Sequence, residues 1–291
     1  MEQWLIQNQV WCRILIFLCV FSMLAAWETF YAWRPWLIAR KTRWMRHLSL
    51  TCLSKIILRV LFPVFLITVA VRVEQKGMGL LSHFPYAAQV IFGFIAMDLI
   101  MYMQHRLFHK YQWLWRIHRV HHMDRQIDVS TGVRFHPLEE IISMGVKMLG
   151  VAFVGVPALA VFFFEVILNA MTMFVHVNVC LPRRVERLLR KVIITPGMHR
   201  IHHSDYSPET NSNYGFCFSW WDKMFDSYTL VSTAGERKFT MGLEDYQDPK
   251  YQTLENMLLV PFNIKRLKVR YKKPLKTKFK LFEEITQPKK R

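Results

Sequence analysis

The sequence predicts an all-α integral membrane protein, a bundle of about four to five membrane helices that includes one helical hairpin, capped by a cytosolic histidine-rich helical region. Three observations point there. Hydrophobic residues fill 52% of the 291 positions, with 10 Trp and 22 Phe, which exceeds ordinary soluble usage. The apolar residues gather into runs long enough to cross a ~30 Å hydrocarbon layer. Ten of the twelve histidines fall between Asp98 and His203, in clusters that flank those runs.

Taken in order, residues 10 to 33 form a first span in which only Arg13 and Glu28 are charged. No basic segment precedes it and no small-x-small cleavage site follows, so it reads as an anchor that stays, with Trp33 and Trp36 marking the interface. Arg34, Arg40, Lys41, Arg43 and Arg46 make the 34–47 loop basic, whereas the 72–84 connector has only Arg72 and Lys76. By the positive-inside rule the first is cytoplasmic and the second lies outside. Residues 49 to 71 between them are a second span containing Pro63, with Lys55 and Arg59 snorkelling from its inner end.

A third span, Pro85 to about Met103, returns and delivers His105 to the cytoplasmic side. On one helix Asp98, Tyr102, His105 and His109 lie within about 60° of a single face. An acidic group in an apolar helix is costly, so Asp98 is expected to accept an imidazole N–H, with Tyr102 near it. Residues 110 to 139 read as short polar and aromatic helices. From Ile141 to about Val175 the chain is apolar again, broken at Gly155-Val156-Pro157. A single crossing there would put His176 and the last cluster on the wrong side, so a hairpin is predicted, its first arm of ~14 residues reaching ~21 Å. Three segments follow: membrane helices over 1–84, a histidine-rich domain over 85–230 containing the 141–175 hairpin, and a polar extension over 231–291 with a basic tail.

The clusters are His105-x-x-x-His109, His118-Arg119-Val120-His121-His122 and His199-Arg200-Ile201-His202-His203, the last two 81 residues apart. Steps of three and four keep helical side chains on one face, so each cluster points its imidazoles one way. Neutral imidazole is a common metal ligand, and eight exceed the four to six positions of one ion, so two metals are predicted. The five cysteines form no close pair and indicate neither a disulfide framework nor a thiolate site. Lys and Arg outnumber Asp and Glu by 39 to 21, and Lys265 to Arg291 contributes +10 of the +18. No recognisable nucleic-acid module accompanies that charge, so an anionic membrane surface is the better partner.

With its ordered blocks the sequence resembles the fatty acid hydroxylase superfamily, the sterol desaturase-like membrane di-iron oxygenases. The blocks are Asp98-x-x-x-Tyr102-x-x-His105, Leu114-Trp115-x-x-His118, Arg134-x-His136-Pro137-Leu138-Glu139, His176-Val177-Asn178, Thr195-Pro196-x-x-His199, Asn213-Tyr214-Gly215 and Trp221-Asp222-x-x-Phe225. The resemblance implies two irons held by histidine alone, O₂ as cosubstrate, and hydroxylation or desaturation of a lipid at the cytoplasmic face of a bacterial inner membrane or the endoplasmic reticulum. It assigns His105, His109, His118, His121, His122, His199, His202 and His203 as ligands, adds His136 and His176, and places Asn178 with Asp98 and Tyr102 in the supporting layer. His47 and His83 match nothing and are expected at the interface. No fused haem module is seen, so a separate electron donor of cytochrome b5, ferredoxin or reductase type is implied. Two other classes compete. A zinc hydrolase needs about three ligands and a carboxylate base, as in His-Glu-x-x-His, which no cluster contains. A metal transporter needs ligands within the spans, and here they flank them.

Overall fold

The computed structural model describes residues 2–62, 64–235 and 238–263, so the basic tail lies outside the described residues. Helices account for the described chain in this order: α1 Glu2–Gln7, α2 Gln9–Phe30, α3 Arg40–Leu61, α4 Leu66–Gln75, α5 Tyr86–Lys110, α6 Gln112–His122, α7 Pro137–Val154, α8 Ala158–His176, α9 Arg183–Leu189, α10 Pro196–His202, α11 Ser207–Thr210, α12 Trp220–Met224 and α13 Leu254–Leu259. A 3-10 turn, Val129–Val133, precedes α7, and among the described residues only isolated bridges represent β structure. Four helical stretches, α2, α3 with α4, α5 and α8, are long and apolar enough to cross a membrane. The protein is an all-helical, multi-pass membrane protein.

The bundle centre is built by α4, α5, α7 and α8, whose Leu66, Ile67, Met97, Met101, Val151, Val154, Val161 and Phe164 form one buried cluster. Between apolar helices in lipid, hydrophobicity supplies little orientation, and close packing with interhelical polar contacts sets the geometry. Arg13 of α2 pairs with Glu165 of α8 at 2.7 Å, and Lys147 of α7 reaches the same carboxylate at 3.4 Å. Lys55 pairs with Glu140 at 2.8 Å, so it is engaged with α7 where snorkelling was expected. Gln104 donates to Ser143 at 2.6 Å. These contacts explain how α7 keeps Glu140 and Lys147 among membrane helices.

Two expectations change in detail. The second span is broken: α3 ends at Leu61 and α4 begins at Leu66, and the intervening sequence contains Pro63, which has no N–H to continue a helix. Its first helix begins at Arg40, so most of the expected 34–47 loop is helical, and His47 is buried at 2% exposure instead of interfacial. His83 is exposed on the connector. The hairpin bends where expected, with Gly155 left-handed at φ 78° closing α7, but α7 starts at Pro137, and its 18 residues reach about 27 Å.

The bend also meets the α4–α5 connector. Leu80 and Leu81 N–H groups donate to the Phe153 and Val154 carbonyls at 3.1 and 2.8 Å. Gly79, at φ 99°, lies so close that a Cβ there would stand 2.3 Å from the Gly155 Cα. This contact ties α4, α5, α7 and α8 together at the end remote from His105 and His176, about 28 Å away along α5. Gly79→Ala is therefore expected to cost about 1–3 kcal/mol from strain alone, plus the backbone clash. Gly77, also left-handed but with open space around it, is the comparison. Thermal unfolding in detergent should show the larger drop for Gly79→Ala, and equal drops would refute the contact.

Candidate metal centre

Four helices converge to build the site. His105 and His109 end α5, His118, His121 and His122 end α6, His176 ends α8, and His199 and His202 lie in α10 with His203 as its C-terminal cap. The short α10 starts on a Thr-Pro pair, with Thr195 accepting from the Met198 N–H at 3.3 Å and Pro196 in the first turn. The imidazoles fall into two groups: His105, His109, His118, His122 and His202 in one, and His121, His176, His199 and His203 in the other. Within each group one nitrogen per ring lies within 4.8 Å of all the others.

Each His-x-x-His-His cluster is thus shared between the groups. Residues four apart, His118 with His122 and His199 with His203, stay together, as a 40° offset per four residues requires. The third member, His121 or His202, is turned about 100° from its neighbour and enters the other group. The expectation that each cluster points one way holds for the pairs and fails for these two. The groups abut, with the His122 and His203 rings stacked at 4.4 Å.

The outer nitrogens fix which atom faces inward. His105, His176 and His202 place Nδ1 against the carbonyls of Tyr214, Thr172 and Ser212 at 2.7, 2.5 and 2.7 Å. A carbonyl only accepts, so each Nδ1 carries the proton and each Nε2 presents a lone pair. His118 Nδ1 lies 2.7 Å from Glu139 Oε1. Around His176 Nε2 stand the Nε2 atoms of His121, His199 and His203 at 3.1, 3.0 and 3.2 Å. One lone pair accepts one proton, so no arrangement of hydrogens satisfies all three contacts.

Buried nitrogens without partners accompany this convergence, among them Nδ1 of His121, His122, His199 and His203, Nε2 of His202, and both nitrogens of His109. Burial holds His118 near a pKa of about 3 and pushes His121, His122, His199, His202 and His203 well below the ordinary imidazole value, with mutual repulsion adding to the shift of these five. Neutral rings with inward lone pairs are the form that coordinates a cation, so these donors fit two metal ions. Among the described residues neither group contains a carboxylate or thiolate.

Of the ten expected ligands, His136 stands apart. It caps α7, accepting from the Leu138 N–H on Nδ1 at 3.1 Å, and its Nε2 faces the Leu258 carbonyl at 3.3 Å. Both nitrogens are used, which leaves no lone pair for a metal; preceding a proline at the first helical position, it serves the helix start instead. The three expected supports are displaced as well. Asp98 lies two turns before His105 and accepts from the Cys217 and Phe218 N–H groups and from Trp221 Nε1 at 3.1, 3.2 and 2.9 Å, with no imidazole in reach. Asp222 accepts from the Tyr214 and Gly215 N–H groups, and Tyr102 reaches Asp222 through Ser227. Together they fix the loop whose Tyr214 carbonyl orients His105. Asn178 exchanges hydrogen bonds with the Arg34 backbone and anchors the chain after His176.

The sequence pattern contains Glu139 and Arg134 but gives neither a role. Glu139 orients His118, and a carboxylate at the start of an apolar helix was the available signal. Arg134 belongs to a buried network in which Arg43 pairs with Asp124 and Asp128 at 2.7 and 2.8 Å and Arg134 donates to His47. Burial raises the Asp124 carboxyl, but Arg43 and Arg134 outweigh it and hold the group far below the usual range. Acidic residues two and six positions beyond a buried ligand cluster signalled this network, since each needs a cation.

Beside the two groups lies a small cavity bounded by His105, His118, His121, His176 and His199 with Phe135, Thr172, Val175, Gly215 and Phe216. Thr172 spends its hydroxyl on the Leu168 and Asn169 carbonyls, so apart from the imidazoles the wall is apolar in character.

A membrane bundle holding two all-histidine groups at one end defines a class of membrane metalloprotein. Residues 90–227, just under half of the chain, match the family described as fatty acid hydroxylase. The chain is 32% identical to an ornithine lipid hydroxylase of Rhizobium tropici over 57% of this chain and 50% of that protein. It is 27% identical to an alkylglycerol monooxygenase of Caenorhabditis elegans over 47% of this chain and 26% of that one. With a human cholesterol 25-hydroxylase it shares 25% identity over 55% of this chain and 56% of the relative. The matches therefore span about half or less of these relatives' length, and no solved structure matches.

Glu139→Gln should lower metal affinity about 10–100-fold, the usual effect of removing a partner that orients a ligating histidine. His136→Asn keeps a capping side chain and should leave metal content unchanged. Chelator competition followed by elemental analysis separates the two, and metal loss in His136→Asn would restore it as a ligand.

Proposed function

We propose that the protein is an O₂-dependent di-iron oxidoreductase of the membrane that hydroxylates or desaturates a lipid, using electrons from a separate donor. The observation that carries this reading is the pair of buried, neutral, all-nitrogen groups beside an apolar cavity. Five and four imidazoles exceed the three ligands and nearby base of a zinc hydrolase. Their place at the ends of the spanning helices, with no further ligand group among the described residues, does not suit a transport path. Iron accepts imidazole ligation readily, and the hydroxylase and monooxygenase relatives favour iron over other nitrogen-binding metals.

The chain's own residues have defined tasks. Nine imidazoles hold the metals, and Glu139 with the Tyr214, Thr172 and Ser212 carbonyls orients four of them. Phe135, Val175 and Phe216 exclude water and offer a hydrocarbon segment van der Waals contact without a competing hydrogen bond. Two bound irons would supply the reduction of O₂ and the oxidation of a C–H bond. Arg183, Arg184, Arg187 and Lys191, all exposed shortly after α8 leaves the bundle, favour the cytoplasmic side for this end.

Purified protein loaded with Fe(II) and given a reductant, lipid extract and ¹⁸O₂ should yield lipid carrying one labelled oxygen, or lipid lacking two hydrogens, by mass spectrometry. His121→Ala should abolish product and metal loading while His83→Ala changes little. Turnover without O₂, or with zinc alone, would sink the reading.

A further inference from the structure

An oxygenase of this kind must receive electrons one at a time without opening its substrate cavity to solvent. Several aromatic side chains other than histidine touch the metal-binding imidazoles. Phe108 and Tyr214 are buried, and Phe135 and Phe216 line the cavity. Trp115 differs from all four: it is half-buried, lies off the cavity, and rests on His109 and His122 with ring centres 4.8 and 5.2 Å apart. Neither His109 nor His122 lines the cavity. Trp115 thus joins the protein surface to one metal group on the side away from the lipid.

The surface around Trp115 has a definite chemistry. From Arg106 to Arg116 the chain carries three cationic side chains and no carboxylate. Lys110 is exposed, Arg116 is half-buried, and Tyr111 between α5 and α6 and Trp113 in the first turn of α6 are 46% and 61% exposed. Aromatic and arginine side chains are the residues that concentrate binding energy in protein interfaces, and a single-sign patch steers an oppositely charged partner.

We propose that Lys110, Tyr111, Trp113 and Arg116 form the docking surface for a small acidic one-electron carrier, an iron–sulfur or b-type haem protein, and that Trp115 is the route by which its electrons enter. In each encounter the carrier is oxidised by one electron and the histidine-held metal pair is reduced by one, with Trp115 serving as the tunnelling medium and ending unchanged. The contact between Trp115 and the ligand rings favours a redox protein over a lipid headgroup as the occupant. The inference rests on the oxygenase reading above.

The test uses the full chain, iron-loaded in detergent, mixed anaerobically with pre-reduced acidic [2Fe–2S] ferredoxin, with a soluble reduced b-type haem protein, and with dithionite, while metal oxidation state is followed by absorbance. Lys110→Glu with Arg116→Glu should slow reduction by the protein carriers about tenfold or more at low salt, abolish carbodiimide cross-linking to them, and leave dithionite reduction unchanged. Trp115→Leu should slow the carriers comparably while cross-linking persists, and Trp115→Phe should fall between. Unchanged carrier rates in variants that keep their iron, or a wild type that accepts electrons from neither carrier, would overturn the proposal. So would charge reversal that weakens only flotation with phosphatidylglycerol vesicles, which would assign the patch to lipid. A wild type that dithionite itself cannot reduce would overturn the oxygenase reading first.

Discussion

The structure depends on one electrostatic constraint, that nine neutral imidazoles are brought together with their lone pairs facing inward. His176 shows it most plainly. Its single inward lone pair meets three neighbouring Nε2 atoms at about hydrogen-bond distance, an arrangement that protons cannot satisfy and a shared cation can. Burial keeps the rings uncharged, and without a cation their mutual repulsion would open the site. Every helix that reaches the centre is therefore held by something other than the imidazoles themselves.

The holding is done by polar groups outside the ligand set. Backbone carbonyls and Glu139 fix ring orientation directly, and Asp98 and Asp222 act one step further out by clamping the 214–218 loop. Between helices in lipid, apolar contact does little to set rotation or register, so these directional bonds select the one arrangement in which the nitrogens converge. At the far end, the approach of Gly79 to Gly155 performs the corresponding task through backbone alone, fixing the hairpin bend against the α4–α5 connector.

The boundary of the family match is instructive in this light. It begins at residue 90 and ends at residue 227, enclosing all nine converging imidazoles and the Asp222–Ser227 clamp. The helices before it nonetheless contribute to the same support: Glu28 of α2 accepts from the Val129 and Asn178 N–H groups, and Arg43 and His47 of α3 enter the network with Asp124, Asp128 and Arg134. The N-terminal helices are thus joined to the histidine-rich region by buried charge pairs as well as by packing.

Much of this was legible in the sequence because periodicity and composition are local. The apolar runs marked the spans, the steps of three and four marked the ligand clusters, and the need for those clusters to meet on one side required the bend at Gly155. What remained hidden were relations between elements. Steps along one helix cannot say that His121 and His202 cross into the opposite group, since that follows from where α6 and α10 lie relative to each other. An acidic residue on an apolar helix announces that it has a partner but does not name it, so Asp98 was expected on an imidazole and is found on a loop. His136 shares the residue type of the clustered imidazoles, yet its Nδ1 caps α7 and its Nε2 meets the Leu258 carbonyl. The sequence alone determined which residues could bind metal, because ligand chemistry belongs to the side chain. The tertiary structure decided which of them stand together, because convergence is a property of distances between helices that no local pattern encodes.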